Sequence, residues 1–246
     1  MLPHTRWFAL GLALTAMSGL VFSSGTTADA NSPASDPLAI KTAAVVTAPA
    51  LYKGPKPSSG KVIYLTFDDG PSKYTPAIVK LLRDYHAHAT FFVIGSQIRT
   101  REGTLKATAS AGNPINNHTW NHPVLPRLTN TGISSQFVRT NRAIRAQGLP
   151  QPKCDRPPYG SYTQRSKGVS DRLGMRTIIW SLDTNDWRKP GAAVIARRVN
   201  YGARNGTIVL MHDGGGNRSQ TVAALRSILR TLGHQGYTFS ALPMCF

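Results

Sequence analysis

The sequence predicts an α/β fold in which repeated strand–helix units build a parallel sheet, either open or closed as a barrel. Two observations support this prediction. From Lys61 onward, short β-branched and aromatic runs alternate with segments whose apolar residues recur at helical spacing. Polar residues suited to chemistry follow several of the predicted strands directly, and the carboxyl ends of parallel strands are where such folds place their active sites.

The individual elements are assigned in chain order. Residues 62–65 form an apolar run typical of a buried strand, and Gly70-Pro71 ends it. Ile78, Leu81 and Leu82 lie on one face of the first predicted helix. The predicted strands are residues 62–67, 89–93, a short strand at Ile115, 176–181, 207–211 and 237–240. The predicted helices are residues 75–85, 101–111, 131–146, one containing 171–173, 192–201 and 221–232.

The segment before this pattern predicts export. Arg6 precedes an apolar run from Trp7 to Phe22, and Ala28-Asp29-Ala30 has the small–x–small form of a signal-peptide cleavage site. Because polar and small residues interrupt the run, we expect residues 1–30 to be a secretory signal peptide rather than a stable membrane anchor. Residues 31–60 are rich in Ala, Pro, Ser and Thr and are expected to form a flexible linker.

The chain is strongly basic. It has 29 Lys and Arg against 11 Asp and Glu, which gives a formal net charge of +18. Such a charge favours an anionic polymer as partner, and for an exported protein the nearest one is the cell wall. We expect no nucleic-acid partner, because the basic residues are scattered rather than clustered with stacking aromatic residues. A role in solubility alone is the alternative.

The domain expected at residues 61–246 contains both cysteines of the chain, Cys154 and Cys245. An even count in an exported protein predicts one disulfide, and two free thiols are the alternative. The protein is accordingly expected to be secreted, either free outside the cell or associated with the wall.

Two adjacent carboxylates, Asp68 and Asp69, stand at the end of the first predicted strand. Neighbouring carboxylates repel each other unless a cation or a shared proton compensates. Successive residues of a strand point to opposite sides, so one carboxylate can ligate a metal while the other handles a proton. A solvated Asp-Asp-Gly turn is the alternative that this segment alone leaves open.

A pair of histidines, His118 and His122, is the next candidate. Pro123 disfavours helix at His122, so the pair is expected in a loop or a single turn. With Asp69 it makes two imidazoles and one carboxylate, the ligand pattern of a catalytic zinc site with an open position. The same donors suit Co²⁺ or another divalent transition metal. A chance pair of surface histidines is the alternative for the pair alone.

Three further segments carry candidate residues. Residues 155–160 form a loop stiffened by two prolines, which places Arg156 with little conformational entropy left to lose. Asp183 and Asp186 follow the strand predicted at 176–181. His212 follows another strand, where a histidine can act as general acid or base near neutral pH. Taken singly, an ordinary turn at Arg156 and a structural histidine at 212 are the alternatives.

Together these segments resemble the motifs of the polysaccharide deacetylase family, carbohydrate esterase family 4, also called the NodB homology domain. The resemblance runs from about Lys61 to Phe246, with the five motifs in the family's order and at ordinary spacing. It implies a distorted (β/α) barrel, a divalent metal that is most often Zn²⁺, and removal of acetyl groups from chitin-like sugars, peptidoglycan or xylan.

Carried onto this sequence, the resemblance implies a role for each motif residue. Asp68 would be the general base, Arg156 the partner that keeps it charged, and His212 the general acid. The other implied roles are metal ligation by Asp69, His118 and His122, tuning of the catalytic histidine by Asp186, an oxyanion hydrogen bond from the backbone N–H of Tyr159, and walls of an acetyl pocket formed by Trp187 and Leu210. Asp183 matches the other carboxylate of its motif.

One segment departs from the family pattern. Residues 112–117 read Gly-Asn-Pro-Ile-Asn-Asn, where many relatives have Gly-His-Glu-Ile-Gly-Asn. Pro114 has no backbone N–H and fits poorly within a central strand, so the local strand beside the metal site is where we expect this chain to differ.

The function expected from these residues is N-deacetylation of an N-acetylglucosamine polymer by a secreted, monomeric enzyme. Peptidoglycan is placed ahead of chitin oligomers, because wall polymers are often anionic. An acetylxylan esterase is the alternative within the same chemistry, and a non-catalytic wall-binding module is the alternative of a different class. The complete set of ligand, base and acid residues favours the enzyme.

Overall fold

Eight strands, all paired in parallel, form one curled sheet in the computed structural model, which describes residues 48–246. The strands are β1 (Lys61–Gly70), β2 (Ala89–Val93), β3 (Ile115–Asn117), β4 (Cys154–Asp155), β5 (Arg176–Thr177), β6 (Leu182–Asp183), β7 (Thr207–His212) and β8 (Tyr237–Phe239). Their order is β5-β4-β3-β2-β1-β7-β6, and β8 pairs with β1. The predicted α/β class and the distorted barrel are confirmed.

The α-helices of the described residues alternate with these strands. They are α1 (Thr75–Asp84), α2 (Gly95–Ile98), α3 (Glu102–Ser110), α4 (Asn130–Arg145), α5 (Gln164–Arg172), α6 (Ala192–Gly202) and α7 (Ser219–His234). The helices predicted from apolar spacing are confirmed. The short α2 was not predicted, because four residues are too few to show a period.

β1 lies within the sheet, between β2 and β7, and is buried on both faces. All residues from Val62 to Phe67 are 5% exposed or less, and the strand pairs with β2, β7 and β8. Ile63 and Leu65 pack in the cluster beneath the helices, whereas Val62 and Tyr64 pack with the barrel interior around Ile208. A strand buried on both faces appears in sequence as a continuous apolar run.

The prediction of one strand over residues 176–181 was wrong. β5 and β6 lie at opposite ends of the strand order, and residues 178–181 connect them. The carbonyls of Ile178 and Ile179 accept hydrogen bonds from the Arg156 guanidinium, at 3.2 and 2.9 Å. The apolar character of this segment therefore reflects burial at the closure of the barrel rather than one continuous strand.

The predicted linker ends earlier than expected. Leu51 forms a parallel bridge with Ile178, and Lys53 forms an antiparallel bridge with Thr207. The hydroxyl of Tyr64 donates to the carbonyl of Pro55 at 2.8 Å. Residues 51–55 thus belong to the domain, since tertiary partners satisfy their backbone groups. The predicted signal peptide and the linker up to residue 47 lie outside the described residues, and within 48–246 no helix has the length and apolar character needed to cross a bilayer.

Cys154 and Cys245 form the predicted disulfide. Asn116, which is fully buried, braces both ends of it: its Oδ1 accepts from the Cys154 N–H at 2.8 Å and its Nδ2 donates to the Cys245 carbonyl at 3.0 Å. Pro114 lies just before β3, so its missing N–H falls outside the strand ladder, and its carbonyl accepts from Phe91 at 3.0 Å. The departure from the family pattern therefore leaves the strand intact.

Replacing both cysteines by Ser is expected to lower stability strongly while the metal site survives. The bond closes a loop spanning a sequence separation of 91 residues, for which the chain-entropy model gives roughly 4–5 kcal/mol as an upper figure. Thermal melts and metal titration of the wild type and of Cys154→Ser/Cys245→Ser check this. An unchanged melting temperature would show that the bond does not hold the C-terminus to the strand that leads to Arg156.

Candidate active site

A cavity of about 370 Å³ opens at the carboxyl ends of the strands. Asp68 and Asp69 lie just before the last residue of β1, β3 leads into His118, β6 ends in Asp183, and β7 ends in His212. The residues that line the cavity are Asp68, Asp69, His118, His122, Tyr159, Trp180, Asp183, Trp187, Leu210 and His212. The structure therefore brings candidate residues from distant parts of the sequence to one cavity, as expected for a parallel sheet.

Asp69, His118 and His122 form one cluster whose potential ligand atoms all lie within 4.8 Å of one another. Asp69 Oδ1 is 3.5 Å from His118 Nε2 and 3.4 Å from His122 Nε2. This oxygen is buried and has no hydrogen-bond partner among residues 48–246. An orphaned carboxylate oxygen that faces two imidazole nitrogens fits a bound divalent cation, so these residues suit the metal that the sequence predicted.

His118 is held in the form that a metal requires. Its Nδ1 lies 2.7 Å from the Arg156 carbonyl and donates to it, which leaves Nε2 unprotonated towards Asp69. Burial lowers the pKa of His118 to about 3, against the opposing effect of Asp69. A neutral imidazole is the ligating form, so the ring needs to lose no proton when a cation binds.

Asp68 is paired with a fully buried arginine. Arg156 Nη1 donates to Asp68 Oδ1 at 2.8 Å and to the Thr66 hydroxyl at 2.7 Å. Burial raises the pKa of Asp68 above its ordinary value, while the charge of Arg156 acts to lower it. The carboxylate is thus a stronger base than an exposed Asp and remains fixed by one oxygen, with the other 3.8 Å from His118 Nε2.

His212 is oriented by Asp186. His212 Nδ1 donates to Asp186 Oδ1 at 2.7 Å, and the His212 backbone N–H donates to Asp186 Oδ2 at 2.9 Å. The Thr221 hydroxyl donates to the same Oδ2 at 2.7 Å. Burial alone would lower the pKa of His212, but the hydrogen bond and charge of Asp186 outweigh it and raise the pKa. With Nδ1 bonded to Asp186, the ring leaves Nε2 for the cavity, and it keeps its second proton to higher pH than an unpaired histidine would.

The loop after Arg156 places Tyr159 at the mouth of the cavity. Tyr159 adopts a left-handed backbone conformation, with φ of 61°. Its ring packs edge-on against His122, with centroids 4.6 Å apart, and the side chain is 66% exposed. Strained backbone at a non-glycine residue often marks a functional position.

A run of three glycines, residues 214–216, packs against Asp69 and was not among the predicted site residues. A Cβ on Gly214 would lie 2.0 Å from the Asp69 carbonyl oxygen, and one on Gly215 would lie 2.4 Å from Asp69 Oδ2. Arg218, which is buried, donates to the carbonyls of Gly214 and Gly215 at 2.6 and 2.9 Å. Only glycine allows such a close approach. The Gly-Gly-Gly run after Asp213 is therefore the feature of the sequence that could have indicated this contact with Asp69.

Asp213 is a buried carboxylate that packs behind the site. Its N–H donates to the Asp68 carbonyl at 3.0 Å, and its Oδ2 accepts from the Thr75 hydroxyl at 2.5 Å. A Cβ on Gly70 would lie 2.1 Å from that same oxygen. Burial raises the pKa of Asp213 to about 7. The residue braces the turn that follows Asp68, a role that its place beside His212 in the sequence does not indicate.

Comparison with known proteins agrees with this geometry. A model of the polysaccharide deacetylase family matches residues 55–178. The peptidoglycan-N-acetylglucosamine deacetylase PgdA of Listeria monocytogenes is 38% identical over 186 residues, 75% of this chain and 39% of that protein. The chain thus spans well under half the length of this relative.

Two further comparisons cover most of each relative. A chitooligosaccharide deacetylase of Bradyrhizobium is 34% identical over 200 residues, 76% of this chain and 91% of that protein. The structure of the peptidoglycan deacetylase PdaC from Bacillus subtilis matches with a TM-score of 0.69 at 34% identity, covering 74% of this chain and 88% of the other. The fold and the strand-end cluster define a barrel of the carbohydrate esterase type. The chain belongs to the polysaccharide deacetylase family.

Proposed function

We propose that this chain is a metal-dependent deacetylase that hydrolyses the N-acetyl groups of N-acetylglucosamine polymers, either peptidoglycan or chitin oligomers. The observation that carries the proposal is a single cavity that joins the Asp69–His118–His122 cluster to Asp68 and His212. The names of the peptidoglycan and chitooligosaccharide deacetylases support the choice of substrate.

Asp69, His118 and His122 would hold the metal, and their donor set suits Zn²⁺ or Co²⁺. When bound, such a metal acts as a Lewis acid that polarises the acetyl carbonyl and eases deprotonation of the attacking water. Three protein ligands would leave room beside the metal for substrate and water.

The chain's own residues supply the remaining steps. Asp68, fixed by Arg156, accepts the proton of the attacking water. The Tyr159 N–H donates to the carbonyl oxygen as negative charge develops on it. In its protonated form, which Asp186 favours, His212 donates its proton to the departing nitrogen. This last transfer matters because an amide anion is a very poor leaving group. Trp187 and Leu210 form the apolar wall that the acetyl methyl contacts.

The test is acetate release from peptidoglycan, chitin oligomers and acetylxylan, each with and without a chelator. Release from the first two that stops with chelator and returns with Zn²⁺ is the expected result. Release from acetylxylan alone would favour the acetylxylan esterase. No release from any of the three would contradict the proposal.

Asp186→Asn is expected to shift the alkaline limb of the pH–rate profile to lower pH. The Asp186 charge raises the pKa of His212, so the acid stays protonated to higher pH and activity is lost as pH rises through that pKa. The neutral amide keeps an acceptor for Nδ1–H but removes the charge. Thr221→Val, which leaves both partners in place, should shift the limb less. An unchanged limb would show that His212 is not the acid.

The charge is expected to act on capture of the polymer rather than on chemistry. Among residues 48–246 the only exposed carboxylate side chains are Asp84 and Glu102, and Asp84 is bonded to Lys80 at 2.6 Å. Raising the salt concentration should therefore weaken binding to anionic wall material, while the rate on short neutral oligomers changes little. Co-sedimentation and acetate release at low and high salt measure the two effects. If salt changes wall binding and the rate on neutral oligomers equally, the positive charge has no role in substrate capture.

We also propose that the protein is exported. The predicted signal peptide supports this, and so does the disulfide, because such bonds persist in oxidising compartments.

A further inference from the structure

One carboxylate of the cavity has no part in the reaction proposed above. Asp183 ends β6, where it pairs in register with Leu210 of β7. It lines the cavity together with Trp180 and Trp187. It is half-buried, and it lies on the same rim as His212 without contacting any of the three candidate metal ligands.

Asp183 is held rigidly through one oxygen only. Oδ1 accepts from the Asn185 N–H at 2.7 Å, in a turn where Asn185 has a left-handed φ of 51°. Within residues 48–246, Oδ2 has neither a hydrogen bond nor an ionic partner, and it is not among the side-chain atoms sealed from solvent. A fixed carboxylate therefore keeps one oxygen free to accept.

Among residues 48–246, the free oxygen of Asp183 differs from the unpaired oxygens Asp69 Oδ1 and Asp213 Oδ1, because those two are buried from solvent. Asp68 is bonded to Arg156, Asp186 to His212, and Asp213 to Thr75. In a chain with 29 basic residues, an acidic side chain could readily be paired. A free acceptor on a cavity wall is what a ligand with a donor group requires.

The two tryptophans define what kind of ligand fits. Trp187 is 47% exposed and Trp180 is half-buried, so both offer indole surface at the cavity. Gly160 packs so closely on Trp180 that a Cβ there would lie 2.7 Å from the ring, which fixes the indole in place. Flat apolar rings beside a charged acceptor suit a ring that has C–H faces and hydroxyl edges.

We propose that Asp183 Oδ2 accepts a hydrogen bond from a ring hydroxyl of the sugar whose acetyl group enters the cavity. This inference rests on the proposed function and adds a specificity-determining contact to it. Asp183 binds the sugar and takes no proton, so it separates glycan substrates from simple acetate esters that lack the ring. Hydrogen bonds to an ionised acceptor are among the stronger ones, and their loss leaves a substrate hydroxyl unpaired.

The test compares two substrates with the metal-loaded wild type and with Asp183→Asn. The amide keeps the acceptor for the Asn185 N–H but replaces the ionised free oxygen. The ratio of kcat/KM on a chitin oligomer to kcat/KM on an aryl acetate should fall about tenfold, which corresponds to about 1.4 kcal/mol. The loss should appear mainly in KM for the oligomer, since the contact exists before and during reaction. Asp84→Asn, on the exposed face of α1, is the matched control and should leave the ratio at the wild-type value.

An unchanged ratio for Asp183→Asn overturns the inference, and so does an equal loss on both substrates. Asp183→Ser keeps a short acceptor for the turn and serves if the Asn variant melts early. An effect confined to oligomers that carry free amino groups would also overturn it, because the donor would then be an ammonium. If the wild type cleaves the aryl acetate but no glycan, the proposed function is contradicted. If the wild type cleaves both and Asp183→Asn leaves the ratio unchanged, only the Asp183 contact is contradicted.

Discussion

Replacing His118 by Ala is expected to remove metal binding and acetate release together, with a loss of activity of roughly 10³-fold or more. His118 is buried, its Nδ1 is committed to the Arg156 carbonyl, and Asp69 Oδ1 has no other partner among the described residues. Without the imidazole, that oxygen and His122 remain as two donors, too few for a catalytic site. Metal content by atomic spectroscopy and acetate release measure the two losses.

His234→Ala is the matched control for this prediction. His234 is an exposed histidine at the end of α7, so its removal should change neither metal content nor rate. His122→Ala and Asp69→Ala should behave like His118→Ala. A His118→Ala protein that has lost its metal but keeps full activity would contradict the metal-dependent mechanism.

Asp68→Asn is expected to keep the metal and lose turnover by roughly 10²–10⁴-fold, the range of a general base. The amide oxygen can still accept from Arg156 Nη1, so the buried guanidinium keeps its partners, which include the Ile178 and Ile179 carbonyls. The amide cannot take a proton from water. Acetate release, metal titration and a thermal melt on one preparation separate the loss of the base from loss of the site.

The surface variant Asp84→Asn controls for the change of one charge, since Asp84 lies exposed on α1. Its rate should equal that of the wild type. If Asp68→Asn instead loses metal along with activity, Asp68 acts on the cluster and another group must be the base. If it keeps its rate, the assignment of the base is wrong.

The sequence by itself determined most of the helices, the central strand β1 and the strand ends that carry the candidate catalytic residues. β1 could be predicted because burial on both faces requires a continuous apolar run, and the helices could be predicted from the spacing of their apolar residues. Asp68, Asp69, His118 and His212 were predicted as site residues because each stands at or just after a strand end, and the structure places all four at one cavity. These features are local, since each depends on a period or on a residue's place within its own segment.

Tertiary structure alone decided which groups meet. Thr66, Asp68 and the Ile178 and Ile179 carbonyls converge on Arg156 from segments 22 to 90 residues away, and no period in the sequence encodes that distance. Packing between segments also decided that residues 178–181 close the barrel and that glycines 214 and 215 lie against Asp69. It likewise decided that one oxygen of Asp183 stays without a partner among the described residues. Apolar spacing fixes which face of a segment is buried, but the partner that buries it is set by packing between segments.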